Sequence, residues 1–206
     1  MTELLEKIKT ILPSIHGWCS FEKASKFIEL ILKEKPQLCV EIGVFGGSSL
    51  IPQALALKTY EGKIVGIDPW KNEAALESMI DETHKDWWAK LDLEDIYKHC
   101  NENINKFGVK SNCTLIRDKA ENVVSTFLDG SIDLLHIDGN HSEELSYKDA
   151  TLYLPKVKSG GFIFFDDIYW TEGDNYATTR KAITYLLVEC EKIDIVNSDC
   201  LILRKK

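Results

Sequence analysis

The chain has 206 residues, with 33 Asp and Glu against 25 Lys and Arg for a formal net charge of −8; the basic residues are scattered, so no nucleic-acid partner is expected. At 44% hydrophobic and 28% charged the composition is that of a globular protein, and surface scaling, with roughly 70% of the chain's surface buried, leaves room for one domain over residues 1–206. No window reaches a membrane-spanning apolar run, the first seven residues lead into no signal-type block, and the six cysteines contain no C-x-x-C pair, which together predict reduced thiols, a cytoplasmic location and no membrane partner.

Residues 1–35 carry two amphipathic helical patterns. The first is Leu4, Leu5, Ile8, Ile11 and Leu12; the second is Phe21, Ala24, Phe27, Ile28, Ile31 and Leu32, opened by Ser20 as N-cap and closed before Pro36. Two such faces at one end of the chain could form part of a homo-oligomer interface. After Pro36 the texture changes to short runs rich in Val, Ile and Leu at residues 38–44, 63–68, 113–118, 132–138 and 161–167, as expected of parallel strands covered on both faces. Helical patterns at residues 48–57, 96–107, 120–128, 142–154 and 178–190 alternate with them, which predicts a doubly wound α/β sheet. Pro52 lies one turn into the first of these helices and predicts a missing amide and a kink there.

Two segments break the alternation. Residues 70–95 are too long for an ordinary strand-to-helix connection and carry Trp70, Trp87 and Trp88 among acidic residues; they predict a helical insertion, a lid over the mouth of the sheet. At the end, apolar runs at residues 192–196 and 200–203 are separated only by Asn197-Ser198-Asp199. Three residues cannot make a parallel crossover, so the last strand should run antiparallel to its neighbour.

In open α/β sheets ligands bind beyond the carboxyl ends of the strands, and there this chain concentrates Gly and Asp. Glu41-Ile42-Gly43-Val44-Phe45-Gly46-Gly47-Ser48-Ser49 runs from a strand through a glycine turn into a helix, a place that favours a negatively charged group. Phe45 stands where a dinucleotide fingerprint would have its second glycine, which disfavours passage of a pyrophosphate; a tight turn that binds nothing is the alternative. Asp68, followed by Pro69 at the end of the second run, is placed to accept the hydroxyls of a ribose, or is a solvated loop residue. Asp138 ends the fourth run, and Asp166 and Asp167 end the fifth. Three carboxylates on neighbouring strand ends would raise one another's pKa unless a cation such as Mg²⁺ sat among them; otherwise one caps a helix and another faces water. His136 shares strand parity with Asp138 and either sits beneath it or, as is commoner for a histidine in a buried strand, is a satisfied core residue. Trp87 and Trp88 either stack on an acceptor ring or pack the insertion onto the domain.

These residues resemble class I S-adenosylmethionine-dependent methyltransferases. The likeness is carried by Glu41-x-Gly43-x-x-Gly46-x-Ser48, Asp68 in Gly-Ile-Asp, Arg117-Asp118-Lys119-Ala120-Glu121, the run from Ile132 to His141, and Leu154-Pro155 followed by Gly160-Gly161 and Asp166-Asp167. Together with His16-Gly17-Trp18 they are most similar to the branch of metal-dependent sugar O-methyltransferases. The resemblance implies a seven-stranded, mostly parallel Rossmann-like sheet with an antiparallel last strand. It implies S-adenosylmethionine as cofactor, with Glu41, Gly43, Val44, Gly46 and Ser48 around its amino-acid end, Asp68 and Pro69 at the ribose, and Asp118, Lys119 and Ala120 at the adenine. Asp138, Asp166 and Asp167 match metal-binding positions for Mg²⁺, and His141 matches a general base beside Asp138. The expected activity is O-methylation of a hydroxyl on a small molecule or glycan precursor. A nicotinamide-dependent oxidoreductase is disfavoured by Phe45 and by the terminal hairpin, and a noncatalytic cofactor-binding module is the third reading.

Overall fold

The computed structural model describes residues 1–172 and 176–206. Helices α1 (Thr2–Ile11) and α2 (Phe21–Glu34) precede the first strand, β1 (Leu38–Ile42). There follow α3 (Leu50–Leu57), β2 (Lys63–Ile67), the short helices α4 (Asn72–Ala75) and α5 (Glu82–Ala89), α6 (Leu93–Lys106), β3 (Cys113–Ile116), α7 (Ala120–Val123), β4 (Ile132–Ile137), α8 (Glu143–Tyr153) and β5 (Val157–Phe165). The two-residue strands β6 (Thr171–Glu172) and β7 (Tyr176–Ala177) pair with each other, and α9 (Arg180–Glu189), β8 (Cys190–Val196) and β9 (Cys200–Lys205) complete the chain.

Seven strands form one sheet in the order β3-β2-β1-β4-β5-β9-β8. The first five are parallel, while β9 is antiparallel to both β5 and β8, as the three-residue terminal turn requires. The expected α/β architecture with an antiparallel last strand is what the chain adopts. Strand order reverses between β1 and β4, so the crevice for a ligand opens above their carboxyl ends.

Side-chain alternation along each strand divides the core in two. Cys39, Ile64, Leu134 and Phe164 face a layer with buried residues of α1, α2, α3 and α6, whereas Val40, Ile67, Leu135 and Phe165 face α7, α8 and α9. Ile8 of α1 and Phe27, Ile28 and Ile31 of α2 are fully buried in the first layer. The apolar faces that suggested an oligomer interface are therefore used within the chain itself.

Several element ends differ from the sequence reading: α6 and β5 start earlier, at Leu93 and Val157, and α7 stops at Val123. The polar residues Asp68, Asp118 and Asp138 lie just past their strands rather than in them. Helix α3 starts at Leu50, after Ser48 and Ser49, so Pro52 falls in its first turn, where an amide has no intrahelical acceptor and no kink is required. The segment after β2 forms α4 and α5 over the carboxyl ends of the strands, with Asp81 capping α5 by accepting from Thr83 and His84 amides at 2.9 and 3.0 Å.

Candidate active site

The backbone pairing continues one residue past the strands. The amides of Gly43, Asp138 and Asp166 donate to the carbonyls of Ile67, Ile42 and Ile137 at 2.9, 2.9 and 3.0 Å, so these three residues stand in a row along the sheet edge. Gly43 has φ +83°, and a Cβ there would lie 1.9 Å from the Asp138 carbonyl oxygen; only glycine fits where the turn crosses the neighbouring loop. Asp68 closes the same turn from the other side. Its Oδ2 accepts from the amides of Val44 and Phe45 at 3.0 and 2.9 Å, and its Oδ1 from that of Trp70 at 2.7 Å. Burial pushes its pKa up, against the lowering effect of these amides.

The N-terminal segment packs on the outer side of the glycine turn. A Cβ on Gly46 would meet the His16 carbonyl at 2.3 Å, one on Gly17 would meet Ser48 Oγ at 2.2 Å, and the Cys19 amide donates to Ser48 Oγ at 3.2 Å. The resulting cavity, about 650 Å³, is bounded by the turn, the β4 and β5 ends, and α4 and α5.

Of the residues singled out from sequence, Gly43, Val44, Ser48, Asp68, Pro69, Lys119, Ala120, Asp138, His141, Asp166 and Asp167 line this cavity. Glu41, Gly46 and Asp118 do not. Gly46 faces His16. Asp118 is exposed and accepts from the Lys119 amide and Asn122 Nδ2 at 2.7 and 2.8 Å, holding the start of α7. Glu41 is fully buried beneath the site, where its carboxylate accepts from Ser49 Oγ at 2.8 Å and Gln53 Nε2 at 2.6 Å.

Strand register explains where Glu41 goes. It pairs with His136, which pairs with Phe164, so the three lie side by side facing α2, and Asp138 and Asp166 are two residues further along β4 and β5. His136 is fully buried, with Nδ1 3.1 Å from Glu41 Oε2 and Nε2 3.1 Å from Asp166 Oδ2 and 3.9 Å from Asp138 Oδ2. Burial disfavours its charge, but hydrogen bonding to Asp166 and Glu41 outweighs this and lifts its pKa to about 10. It is a buried, paired histidine, as expected, and also the floor of the acidic cluster.

Lys23 of α2 also belongs to the site and was not singled out from sequence. Its ammonium donates to Asp166 Oδ2, and the two side chains are 8% and 2% exposed. Burial opposes the charge, yet Asp138 and Asp166 raise the Lys23 pKa well above the usual lysine value, while Asp166 is held below the usual carboxylate range by His136 and Lys23 against its burial. The sequence did hold a signal: Lys23 precedes Phe27 by one helical turn, inside the buried stripe of α2.

The outer part of the cluster is Asp138, His141 and Asp167. His141 Nε2 is 3.1 Å from Asp167 Oδ2 and 3.6 Å from Asp138 Oδ1. Burial lowers the His141 pKa, but the two carboxylates prevail and bring it to about 10. Burial, then Asp166, raises Asp138.

This arrangement bears on the expected Mg²⁺. The potential donor atoms gather as two sets, His136-Asp138-Asp166 and Asp138-His141-Asp167, each within 4.8 Å. The three aspartates do not form one set among the described residues. The inner set already carries a cation, because the Lys23 ammonium engages Asp166, while in the outer set the nitrogen between Asp138 and Asp167 is that of His141, itself one of the donors. The residues do not fit a divalent ion shared by the three carboxylates.

Across the cavity stands an aromatic wall. Trp18 lies 4.8 Å from Phe45 and 5.6 Å from Trp87, and Trp87 lies 5.2 Å from Trp88, between ring centroids. Trp18 and Trp87 are 65% and 45% exposed, and both line the cavity.

The fold is shared with solved methyltransferases. A methyltransferase of Podospora anserina, solved with S-adenosylhomocysteine, superposes with a TM-score of 0.67 at 18% identity, over 100% of this chain and 87% of the other. An O-methyltransferase of Bacillus cereus, also solved with that compound, gives 0.68 at 16% identity, over 99% and 91%. The architecture is thus the class I methyltransferase fold. Residues 40–168 match the family model described as a methyltransferase domain, and the chain belongs to that family. Among curated relatives, a flavonoid 3′,5′-methyltransferase of Vitis vinifera and a caffeoyl-CoA O-methyltransferase of Stellaria longipes are each 28% identical over 70% and 71% of this chain and 53% of their own length. The chain spans about half the length of these relatives. No helix of the described residues is long and apolar enough to cross a membrane.

Proposed function

We propose that this chain transfers the methyl group of S-adenosylmethionine to a hydroxyl on the ring of a small molecule. The observation that carries the reading is the single cavity in which the glycine turn clamped by Asp68 faces the Asp138, His141 and Asp167 cluster, with an aromatic wall beside both.

The cofactor's amino-acid end would rest on Gly43, Val44 and Ser48. Ser48 Oγ accepts the Cys19 amide, which leaves its hydroxyl proton to donate to the cofactor carboxylate. Glu41 and Gly46 act from behind, by holding Ser49 and by admitting His16. Asp68 spends three of its about four acceptor sites on backbone amides, so it accepts from one ribose hydroxyl rather than both. Lys119, Ala120 and Pro69 bound the adenine, while Asp118 shapes that loop without touching it.

In the transfer the sulfur–methyl bond breaks as the acceptor oxygen–methyl bond forms. The hydroxyl proton passes to the Asp138 carboxylate, which stands beside the protonated His141 that Asp167 holds in line. Trp18 and Trp87 offer stacking faces for the acceptor. Such faces suit a sugar or glycan precursor as well as a phenolic ring, but the flavonoid and caffeoyl names of the relatives favour the phenolic ring. Magnesium, expected from the sequence, has no step in this proposal because the three aspartates do not form one set and Lys23 already engages Asp166.

Thermal unfolding with S-adenosylhomocysteine, with NAD and with neither tests the cofactor assignment. A ligand at a hundred times its Kd adds about 2.7 kcal/mol of stability, so a clear rise of Tm is expected with S-adenosylhomocysteine. A rise with NAD alone would replace the proposal with an oxidoreductase. Appearance of an O-methylated catechol with S-adenosylmethionine separates an enzyme from a binding module.

A further inference from the structure

The placement of Lys23 follows from how α2 docks. Ser20 Oγ caps the helix by accepting the Lys23 amide at 3.0 Å. One turn later Phe27 stacks on Phe164 with ring centroids 4.1 Å apart and meets His136 edge-on at 5.0 Å. With Phe27 locked over the β4 and β5 rows, the side chain four residues earlier must lie nearer the carboxyl ends of those strands. There it reaches Asp166, lines the cavity beside Asp138, and is 7% exposed. A lysine so enclosed needs a counter-ion, because a buried unpaired charge costs several kcal/mol. The reverse holds as well: a divalent ion binding Asp166 would have to displace the ammonium from its counter-ion.

We propose that Lys23 is the resident cation of the methyl-transfer site, taking at Asp166 the place where the sequence led us to expect a divalent ion, so that transfer proceeds without one. This rests on the methyltransferase reading above. Lys23 is a positioning residue: it neutralises Asp166 and steadies the neighbouring Asp138, which receives the acceptor's proton, and it closes the inner set of carboxylates to metal.

The test is electron paramagnetic resonance of Mn²⁺ added to the full chain in S-adenosylhomocysteine, alongside turnover in chelator. For the wild type, free Mn²⁺ up to about 1 mM and a rate in chelator within about twofold of that in Mg²⁺ are expected. Lys23→Met removes the ammonium from a pair of carboxylates and should acquire a bound Mn²⁺ signal, and Lys23→Arg should not. Mn²⁺ held stoichiometrically by the wild type, or a loss of about tenfold or more in chelator, overturns the proposal. So does a folded Lys23→Met protein that retains no more Mn²⁺ than the wild type. If Lys23→Met does not fold, the two wild-type arms decide. Failure of S-adenosylhomocysteine to bind, measured by calorimetry in the same samples, would sink the methyltransferase reading instead, and the Mn²⁺ arms report on Lys23 either way.

Discussion

Asp149 on α8 is a carboxylate that the fold makes costly to ionise. Burial raises its pKa to about 7, and Lys148 offsets only part of the rise. The folded chain therefore keeps a proton that the unfolded chain gives up near pH 4. Its contribution to stability is greatest below about pH 4, declines as pH rises towards 7, and is flat above. Asp149→Asn should remove that decline. Because the side chain is only partly buried by surface area, the gain is expected to be about 1–2 kcal/mol at pH 8 and near zero at pH 4. Urea unfolding of both proteins across this range measures it; a constant difference would mean that Asp149 ionises normally. Single residues of this kind show the limit of motif reading. Gly43, Asp68 and Asp138 were recognisable because turn chemistry and position at strand ends constrain residue type locally. Glu41 carries the same motif signal but lies beneath the cavity rather than on its lining, since its register with His136 places it two residues below Asp138 on the same face.

Helix α2 links packing to the site. Phe27 is fully buried between Phe164 and His136, and truncation leaves a cavity under the acidic cluster. Phe27→Ala should cost about 3–5 kcal/mol, read as a lower urea midpoint. A cost below about 1 kcal/mol would show that the α2 stripe does not anchor Lys23. The amphipathic stripe of α2, its Ser20 cap and its end before Pro36 are local features, and all were readable. The helix's partner was not, because an apolar stripe records that a face is buried without recording against what. The segment after β2 behaves similarly. Its length and tryptophans announced an insertion, while the meeting of Trp87 with Trp18, from the segment before α2, depends on how both segments fold over the strand ends.

All six cysteines are free and buried. Burial pushes the thiols up, to about 12 for Cys113 and about 11 for Cys190, so the thiolate that reacts with disulfide reagents is scarce throughout the folded molecule. A disulfide reagent at pH 8 should label no thiol within minutes in the native state and six after unfolding; prompt labelling of a native thiol would contradict the packing described. For the molecule as a whole, alternation of apolar runs and helical periods made the doubly wound sheet legible, and a three-residue turn was enough to require the antiparallel last strand. Those inferences needed only short-range chemistry: hydrophobic period, turn length and the residues that turns tolerate. The inner half of the site needed more. Lys23, Glu41, His136 and Asp166 come from four separate elements and meet because strand parity sends one side of β1, β4 and β5 towards a helix docked by the buried stripe of Ala24, Phe27, Ile28 and Ile31. Charge pairing of this kind leaves no periodic trace along the sequence, since it is set by packing between elements and not by the elements themselves.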